Sequence, residues 1–158
     1  MKTLITGING FVGSNFTKKW SNKNTLYGID IRQPKVEGVV QTYSWDELQD
    51  VPKVDAIVHL TGKAHDTKNE SLAQDYFEIN VGLTKRIFEH FLQSDAKTFV
   101  FFSSVKATKD STEGKVLKED VVPEPVGPYG ESKIKAEVEL LTLLGQKIKH
   151  KKLTFVKV

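Results

Sequence analysis

The stretch "TLITGINGFVGSNF", residues 3–16, decides the fold of this chain. A short apolar run ends at Gly7, glycines follow at positions 10 and 13, and apolar residues at helical spacing come next. This order of strand, glycine turn and helix is the context of a dinucleotide-binding fingerprint. Gly7 would permit a tight turn, Gly10 would let the backbone approach a diphosphate, and Gly13 would let helix and strand pack closely. For the triplet by itself, a merely tight turn is the alternative.

Short apolar runs alternate with helical segments along the rest of the chain. We predict strands at 3–6, 25–30, 38–43, 54–62, 98–104 and 152–158, and helices at 10–22, 44–50, 71–94 and 128–147. Strands that are apolar on both faces and separated by helices indicate a parallel sheet covered on both sides. We therefore predict an α/β fold with a doubly wound parallel sheet, an NAD(P)-binding Rossmann fold of three α/β/α layers. We expect residues 1–158 to form its single dinucleotide-binding domain.

Composition excludes several classes of function. The chain has 158 residues, a net charge of +3 and no cysteine, so disulfides, zinc–thiolate sites and thiol nucleophiles are excluded. No apolar run approaches the length of a membrane span. The lysine-rich segment 147–152 lacks the interleaved aromatic residues of a nucleic-acid platform. We expect a cytoplasmic protein that binds neither nucleic acid nor membranes. We expect no metal either, because the spacing of His59, His65 and Asp66 does not suit a helical ligand pair.

Asp30 lies at the end of the second predicted strand, 20 residues after Gly10. A carboxylate at this position can accept hydrogen bonds from the ribose hydroxyls of an adenosine, which favours NAD over NADP. Arg32, two residues later, could instead accommodate a 2′-phosphate. An aspartate in an ordinary turn at the end of a strand is the structural alternative.

Tyr129 and Lys133 are the candidate catalytic pair. Four residues apart on a predicted helix, their side chains lie on one face. A lysine ammonium, a helix N-terminus and an oxidised nicotinamide ring would all favour the phenolate of Tyr129. Tyr129 could then act as a general base near neutral pH. A surface tyrosine beside an ordinary lysine is the alternative for the pair by itself.

Four motifs resemble the extended short-chain dehydrogenases/reductases of the NAD-dependent epimerase/dehydratase family. They are "TGINGFVG" (6–13), "HLTG" (59–62), "FFSS" (101–104) and "YGESK" (129–133). The segments "SSVKATKD" and "EDVVPEPVGPYGESKIKAE" are most similar to the branch that acts on nucleotide-activated sugars, as 4-epimerases or as UDP-hexosamine 4-reductases. The resemblance implies an oxidoreductase that removes hydride from the sugar, generally at C4, and passes it to NAD. A reductase that uses NADPH and an NAD-binding module without turnover are the alternatives.

The resemblance also implies a set of site residues. Cofactor contacts fall on Gly7, Gly10, Phe11, Val12, Gly13, Asp30, Ile31, Leu60, Thr61, Gly62, Asn80, Ser103, Tyr129 and Lys133. Tyr129 is then the base and Lys133 its electrostatic support. The family's hydroxyl for the reacting oxygen would fall on Val105, so we assign Ser104 to this catalytic role and keep Thr108 in reserve.

The length of the chain departs from the family pattern. Members of the family run to about twice this length, and their second half builds the substrate-binding lobe. The Arg-Pro segment that usually follows the sixth strand is absent from these 158 residues. We therefore expect the cofactor half with the C-terminal substrate lobe largely missing, and weak or no activity of this chain alone. Family members often dimerise through two helices, which makes 71–94 and 128–147 the candidates for a homodimer.

Overall fold

The computed structural model describes residues 1–64, 72–109, 117, 121–145 and 150–158. The strands among them are β1 (Lys2–Thr6), β2 (Thr25–Ile29), β3 (Val39–Tyr43), β4 (Ala56–His59), β5 (Thr98–Ser103) and β6 (Lys152–Lys157). The α-helices are α1 (Phe11–Trp20), α2 (Ala73–Phe77), α3 (Thr84–Gln93) and α4 (Gly127–Gly145). A π-helical segment, Glu78–Leu83, connects α2 to α3, and single 3₁₀ turns span Leu48–Asp50 and Val105–Ala107.

The six strands form one sheet in the order β3-β2-β1-β4-β5-β6, and every neighbouring pair is parallel. The order reverses between β1 and β4, which is the doubly wound Rossmann arrangement that the sequence predicted. Thr6 at the end of β1 stands opposite Ile29 on one side and His59 on the other. The segments that leave β1, β2 and β4 therefore start side by side at one edge of the sheet.

Two apolar clusters fill the space on either side of the sheet. The larger lies between the sheet and the helices α3 and α4, and its fully buried side chains include Phe88, Phe99 and Leu140. The smaller lies on the α1 face and is built around Ile5 and Leu26. These clusters bind helices to both faces, so the three α/β/α layers are confirmed.

Part of the α1 face carries no helix among the described residues. The crossovers from β4 to β5 and from β5 to β6 pass over the opposite face, and α1 covers only the neighbourhood of β1 and β2. An apolar groove of about 450 Å³ remains beside α1. It is lined by Met1, Thr3, Phe16, Trp20, Asn24, Ala56, Val58, Thr98, Val100, Phe102 and Val156.

The helix predicted at 44–50 is wrong except for its last turn. The backbone N–H of Ser44 donates to the Glu47 carboxylate at 2.7 Å, as in a capping box, but only Leu48–Asp50 coils, as a 3₁₀ turn. Val51 is already extended, with ψ of 125°. Pro52 follows it, and a residue before proline is disfavoured in the helical region, so the helix ends at once.

The helix predicted at 71–94 begins later and is not uniform. Helical backbone starts at Ala73 and changes to π-helical bonding over Glu78–Leu83 before α3 completes it. Two residues weighed above as metal ligands, His65 and Asp66, lie outside the described residues. Of the helices described, none has both the length and the apolar character needed to cross a bilayer.

Candidate functional site

The turn after β1 is closed tightly by its glycines. Gly7 has φ of +70°, its N–H donates to the Ile29 carbonyl at 2.8 Å, and a Cβ here would come within 2.9 Å of the Thr61 nitrogen. A Cβ on Gly13 would lie 2.5 Å from the Gly7 carbonyl oxygen. Only glycine fits positions 7 and 13 without moving backbone. Gly10, whose N–H donates to the Gly7 carbonyl at 3.0 Å, precedes the first turn of α1.

Asp30 fastens this turn to the end of β2. Its carboxylate accepts the backbone N–H of Asn9 at 3.0 Å and that of Arg32 at 3.4 Å. The Asn9 side-chain amide donates in turn to the Arg32 carbonyl at 2.8 Å. Each carboxylate oxygen keeps a further lone pair, so Asp30 can still accept hydrogen bonds from a ligand.

Two clefts meet at the glycine turn. The first, of about 480 Å³, is lined by Gly7, Asn9, Gly10, Asp30, Ile31, Arg32, Trp45, Leu60, Thr61, Gly62, Lys63, Ile79 and Leu83. The second, of about 580 Å³, is lined by Gly7, Gly10, Phe11, Val12, Gly13, Leu60, Gly62, Ala64, Ser104, Val105, Lys106, Tyr129 and Val158. We call them the Asp30 cleft and the Tyr129 cleft. They share four residues, so together they run along the carboxyl edge of the sheet across the point where the strand order reverses.

A buried chain of hydrogen bonds lies beneath the clefts. Thr84 Oγ1 donates to the Asn80 carbonyl at 2.6 Å, so it accepts from His59 Nε2 at 2.8 Å. His59 Nδ1 must then accept, and Thr6 Oγ1 donates to it at 2.6 Å. The imidazole is therefore the neutral Nε2–H tautomer. Burial, together with the positive charge of Lys133, lowers the pKa of His59 to about 3.

Thr6 connects these buried hydrogen bonds to the backbone that forms the wall of the clefts. With its own hydrogen used on His59, its oxygen accepts the backbone N–H groups of Leu60 and Thr61, each at 3.3 Å. The backbone that lines both clefts after β4 is thus held from below. Because both imidazole nitrogens have partners, His59 has no lone pair available for a metal.

Asn80 joins three separate segments of the chain. Its Oδ1 accepts the Lys63 N–H at 2.7 Å, and its Nδ2 donates to the Lys63 carbonyl at 3.0 Å and to Ser132 Oγ at 2.9 Å. Ser132 Oγ donates to the Tyr129 carbonyl at 2.8 Å. Asn80 is fully buried, so it lies behind the cleft and connects the segment after β4 to the start of α4.

Lys133 is 4% exposed and points from α4 towards β5. Its ammonium donates to the Phe102 carbonyl at 2.7 Å and stands 4.2 Å from the centre of the Phe101 ring. Burial lowers its pKa to about 8, and the negative charge of Glu137 acts in the opposite direction. Tyr129, one turn earlier, is half-buried and lines the Tyr129 cleft. The buried ammonium of Lys133 is therefore bonded to the sheet.

The two serines at the end of β5 have different surroundings. Ser104 lines the Tyr129 cleft, where its hydroxyl donates to the Val158 carbonyl at 3.1 Å and accepts the Lys106 N–H at 3.3 Å. Ser103 is buried on the α4 side of the sheet, and its hydroxyl donates to the Glu137 carboxylate. Of the two, only Ser104 borders open space.

Most of the predicted site residues are brought together. Those that line the two clefts are Gly7, Gly10, Phe11, Val12, Gly13, Asp30, Ile31, Leu60, Thr61, Gly62, Ser104 and Tyr129. Asn80, Ser103 and Lys133 are buried behind them. Sequence reasoning missed the Asn9 link to Asp30, the Thr6–His59–Thr84 chain and Glu137. Glu137 follows Lys133 by four residues, which places both side chains on one face of a helix, and this spacing is the signal that could have found it.

The strand order and the glycine turn at its switch point define a Rossmann-type domain. A model of the NAD-dependent epimerase/dehydratase family matches residues 3–148, and the chain belongs to that family.

A curated relative is similar to this chain over most of its length. The chain is 29% identical over 151 residues to a UDP-glucose 4-epimerase of Vibrio cholerae, which covers 89% of this chain and 46% of that protein. It thus spans about half the length of the curated relatives it matches.

Two solved structures share the fold. One is a short-chain dehydrogenase/reductase superfamily protein from Agrobacterium tumefaciens with bound NAD, at TM-score 0.82, 24% identity and coverage of 99% of this chain and 48% of that one. The other is the UDP-glucuronic acid 4-epimerase from Bacillus cereus in complex with NAD, at TM-score 0.80, 20% identity and coverage of 99% and 55%.

Proposed function

We propose that this chain binds NAD along the two clefts. The adenosine would lie in the Asp30 cleft, where the carboxylate can accept hydrogen bonds from the ribose hydroxyls. The diphosphate would lie at the glycine turn before α1. A helix N-terminus offers backbone N–H groups and a positive dipole end to such an anion. The nicotinamide end reaches the Tyr129 cleft. One observation carries this proposal, namely that the clefts share Gly7, Gly10, Leu60 and Gly62.

For the whole protein we propose oxidoreduction of a nucleotide-activated sugar. NAD supplies the hydride acceptor for this chemistry. Tyr129 takes the proton of the sugar hydroxyl, in our proposal at C4, and the buried ammonium of Lys133 lowers the cost of the phenolate. Ser104, whose hydroxyl donates to the Val158 carbonyl in the structure, would turn this hydrogen to the reacting oxygen. The family and the nucleotide sugars named for its relatives support this proposal.

Calorimetric titration of the chain with NAD⁺ and NADP⁺ tests the cofactor proposal. We expect saturable NAD⁺ binding and weaker NADP⁺ binding, since a 2′-phosphate would approach the Asp30 carboxylate. Asp30→Asn tests the carboxylate charge, because it removes that charge and keeps the shape of a side chain that also holds Asn9. It should weaken NAD⁺ about tenfold, the size of one charge-assisted hydrogen bond.

Asp46→Asn is the matched control, because Asp46 is exposed and lines neither cleft. It should bind NAD⁺ like the unchanged chain. Absence of heat with either dinucleotide, from protein shown to be folded, would contradict the proposal. Tighter binding of NADP⁺ than of NAD⁺ would favour the reductase alternative and assign the 2′-phosphate to Arg32.

A further inference from the structure

Glu137 is a buried carboxylate outside the proposed cofactor clefts. It follows Lys133 by one turn of α4 and is 8% exposed. Glutamates are rarely buried this far unless they are paired, because an ionised carboxylate loses its hydration. The groups that bind the Glu137 carboxylate therefore indicate its role.

Two elements of the sheet supply partners to Glu137. Ser103 Oγ, at the end of β5, donates to Oε1, and Lys157 Nζ, on β6, lies 3.3 Å from Oε2. The same ammonium donates to Thr108 Oγ1 at 2.9 Å. The carboxylate is thus held from both sides, and it connects α4 to β5 and to β6.

This fixed negative charge lies on the same face of α4 as Lys133, since residues four apart are neighbours on a helix. The hydrogen-bond partner of the Lys133 ammonium, the Phe102 carbonyl, is neutral. Among the described residues, the groups whose charge or titration is linked to Lys133 are the neutral His59 of β4 and Glu137 of α4, with Lys157 of β6 reaching Glu137. Tyr129 lies one turn before Lys133 on α4. Among these groups, Glu137 is the carboxylate that opposes the loss of the Lys133 charge.

We propose that Glu137 is a positioning residue for Lys133, a carboxylate held by Ser103 and Lys157 that keeps the Lys133 ammonium charged and aimed at the end of β5. The inference rests on the proposed function, in which that ammonium supports the Tyr129 phenolate. It also gives Ser103 a different task from cofactor contact, which is to orient the Glu137 carboxylate.

The test follows the titration of Lys133 itself. Side-chain NMR of ¹³C-labelled lysines between pH 6 and 11, assigned with Lys133→Arg, gives the midpoint for the unchanged chain, Glu137→Gln and Glu131→Gln. Glu131 is exposed on the same helix and matches the charge change. We expect Glu137→Gln to move the midpoint about one pH unit lower, because an attractive charge one turn away is lost, and Glu131→Gln to leave it in place. An unmoved midpoint in folded Glu137→Gln overturns the proposal.

Glu137→Gln leaves Lys157 without its carboxylate and could fail to fold for that reason. A second pair of variants keeps the proposal testable in that case. Lys157→Met and the double variant Glu137→Gln/Lys157→Met differ only in the Glu137 charge. A lower Lys133 midpoint in the double variant supports the proposal, and equal midpoints overturn it.

Calorimetry separates this inference from the proposed function. Lys133 is among the cofactor contacts that the family resemblance implies, so we expect NAD⁺ affinity in the unchanged chain to decline above about pH 8, where Lys133 loses its proton. Glu137→Gln should show that decline at lower pH. If the unchanged chain binds no NAD⁺, the proposed function fails while the NMR midpoints still decide the role of Glu137.

Discussion

Single residues at the turn after β1 show why glycine is needed there. At Gly13 the obstacle is the backbone of the preceding turn, because a Cβ would lie 2.5 Å from the Gly7 carbonyl oxygen and 2.6 Å from that of Ile8. Backbone atoms cannot rotate away as a side chain can. The close packing of α1 against β1 therefore depends on the absence of a side chain at this position.

Gly13→Ala should destabilise the fold by about 1–3 kcal/mol, the usual cost of forcing a methyl group into packed surroundings. Gly82→Ala is its control, because nothing lies within 4 Å of a Cβ at this helical position. That substitution should stabilise by roughly 0.5–1 kcal/mol through the better helical propensity of alanine. Urea unfolding of both variants measures the two free energies. Equal effects of the two substitutions would contradict the steric argument.

Among the elements, the π-helical segment Glu78–Leu83 has a clear structural task. Segments of this kind are rare and tend to occur at functional sites. Here the segment carries Asn80, whose side chain bonds the Lys63 backbone and Ser132 at the same time. The helix that contains it thereby becomes the connection between the cleft wall and the start of α4.

Asn80→Asp tests this connection with little change of shape. The new carboxylate cannot donate to the Lys63 carbonyl or to Ser132, and its charge would be buried, so we expect a loss of roughly 2–5 kcal/mol of unfolding free energy. Asn15→Asp makes the same exchange on the exposed side of α1 and should change stability by less than about 0.5 kcal/mol. A small effect of Asn80→Asp in urea unfolding would show that Asn80 does not hold these segments together.

The sequence predicts some elements better than others for physical reasons. The strands could be predicted because a run such as "TFVFFS" (98–103) is apolar on both faces wherever it lies in a parallel sheet. The π-helical segment could not, because its hydrogen bonding is linked to contacts with Lys63 and Ser132, which are distant in sequence. Glu137 was missed because a glutamate in a helix normally faces water, and its burial depends on Lys157 in another strand.

At the scale of the whole molecule, His59 makes stability depend on pH. Its folded pKa of about 3 lies below the ordinary value near 6.5, so below pH 6.5 the unfolded chain binds a proton that the folded chain does not. The stability that comes from the neutral His59 is therefore fully present above pH 6.5 and is lost as the pH falls towards 3. The contribution is at most about 1.4 kcal/mol per pH unit.

Urea unfolding at pH 7, 6 and 5 measures this loss. We expect the unchanged chain to lose stability more steeply below pH 6.5 than His59→Gln, which has no imidazole to protonate. His150→Gln removes an exposed histidine and should keep the slope of the unchanged chain. Parallel slopes for the unchanged chain and His59→Gln would show that His59 is not the group that titrates.

The reversal of strand order between β1 and β4 also affects how the molecule folds. Strands β1 to β3 and strands β4 to β6 are each continuous stretches of chain, whereas Thr6 and His59, which meet where the two halves join, are 53 residues apart. Pairing across that separation closes a longer loop than the pairing of β1 with β2 or of β2 with β3, so it is slower than either. The pairing of β5 with β6 spans a similar separation, since Thr98 pairs with Lys152. Strands β1 to β3 can therefore pair early, and the clefts form only when β4 docks beside β1. A ligand that contacts both halves would then hold β1 and β4 together. It would slow hydrogen exchange first in the amides of these two strands.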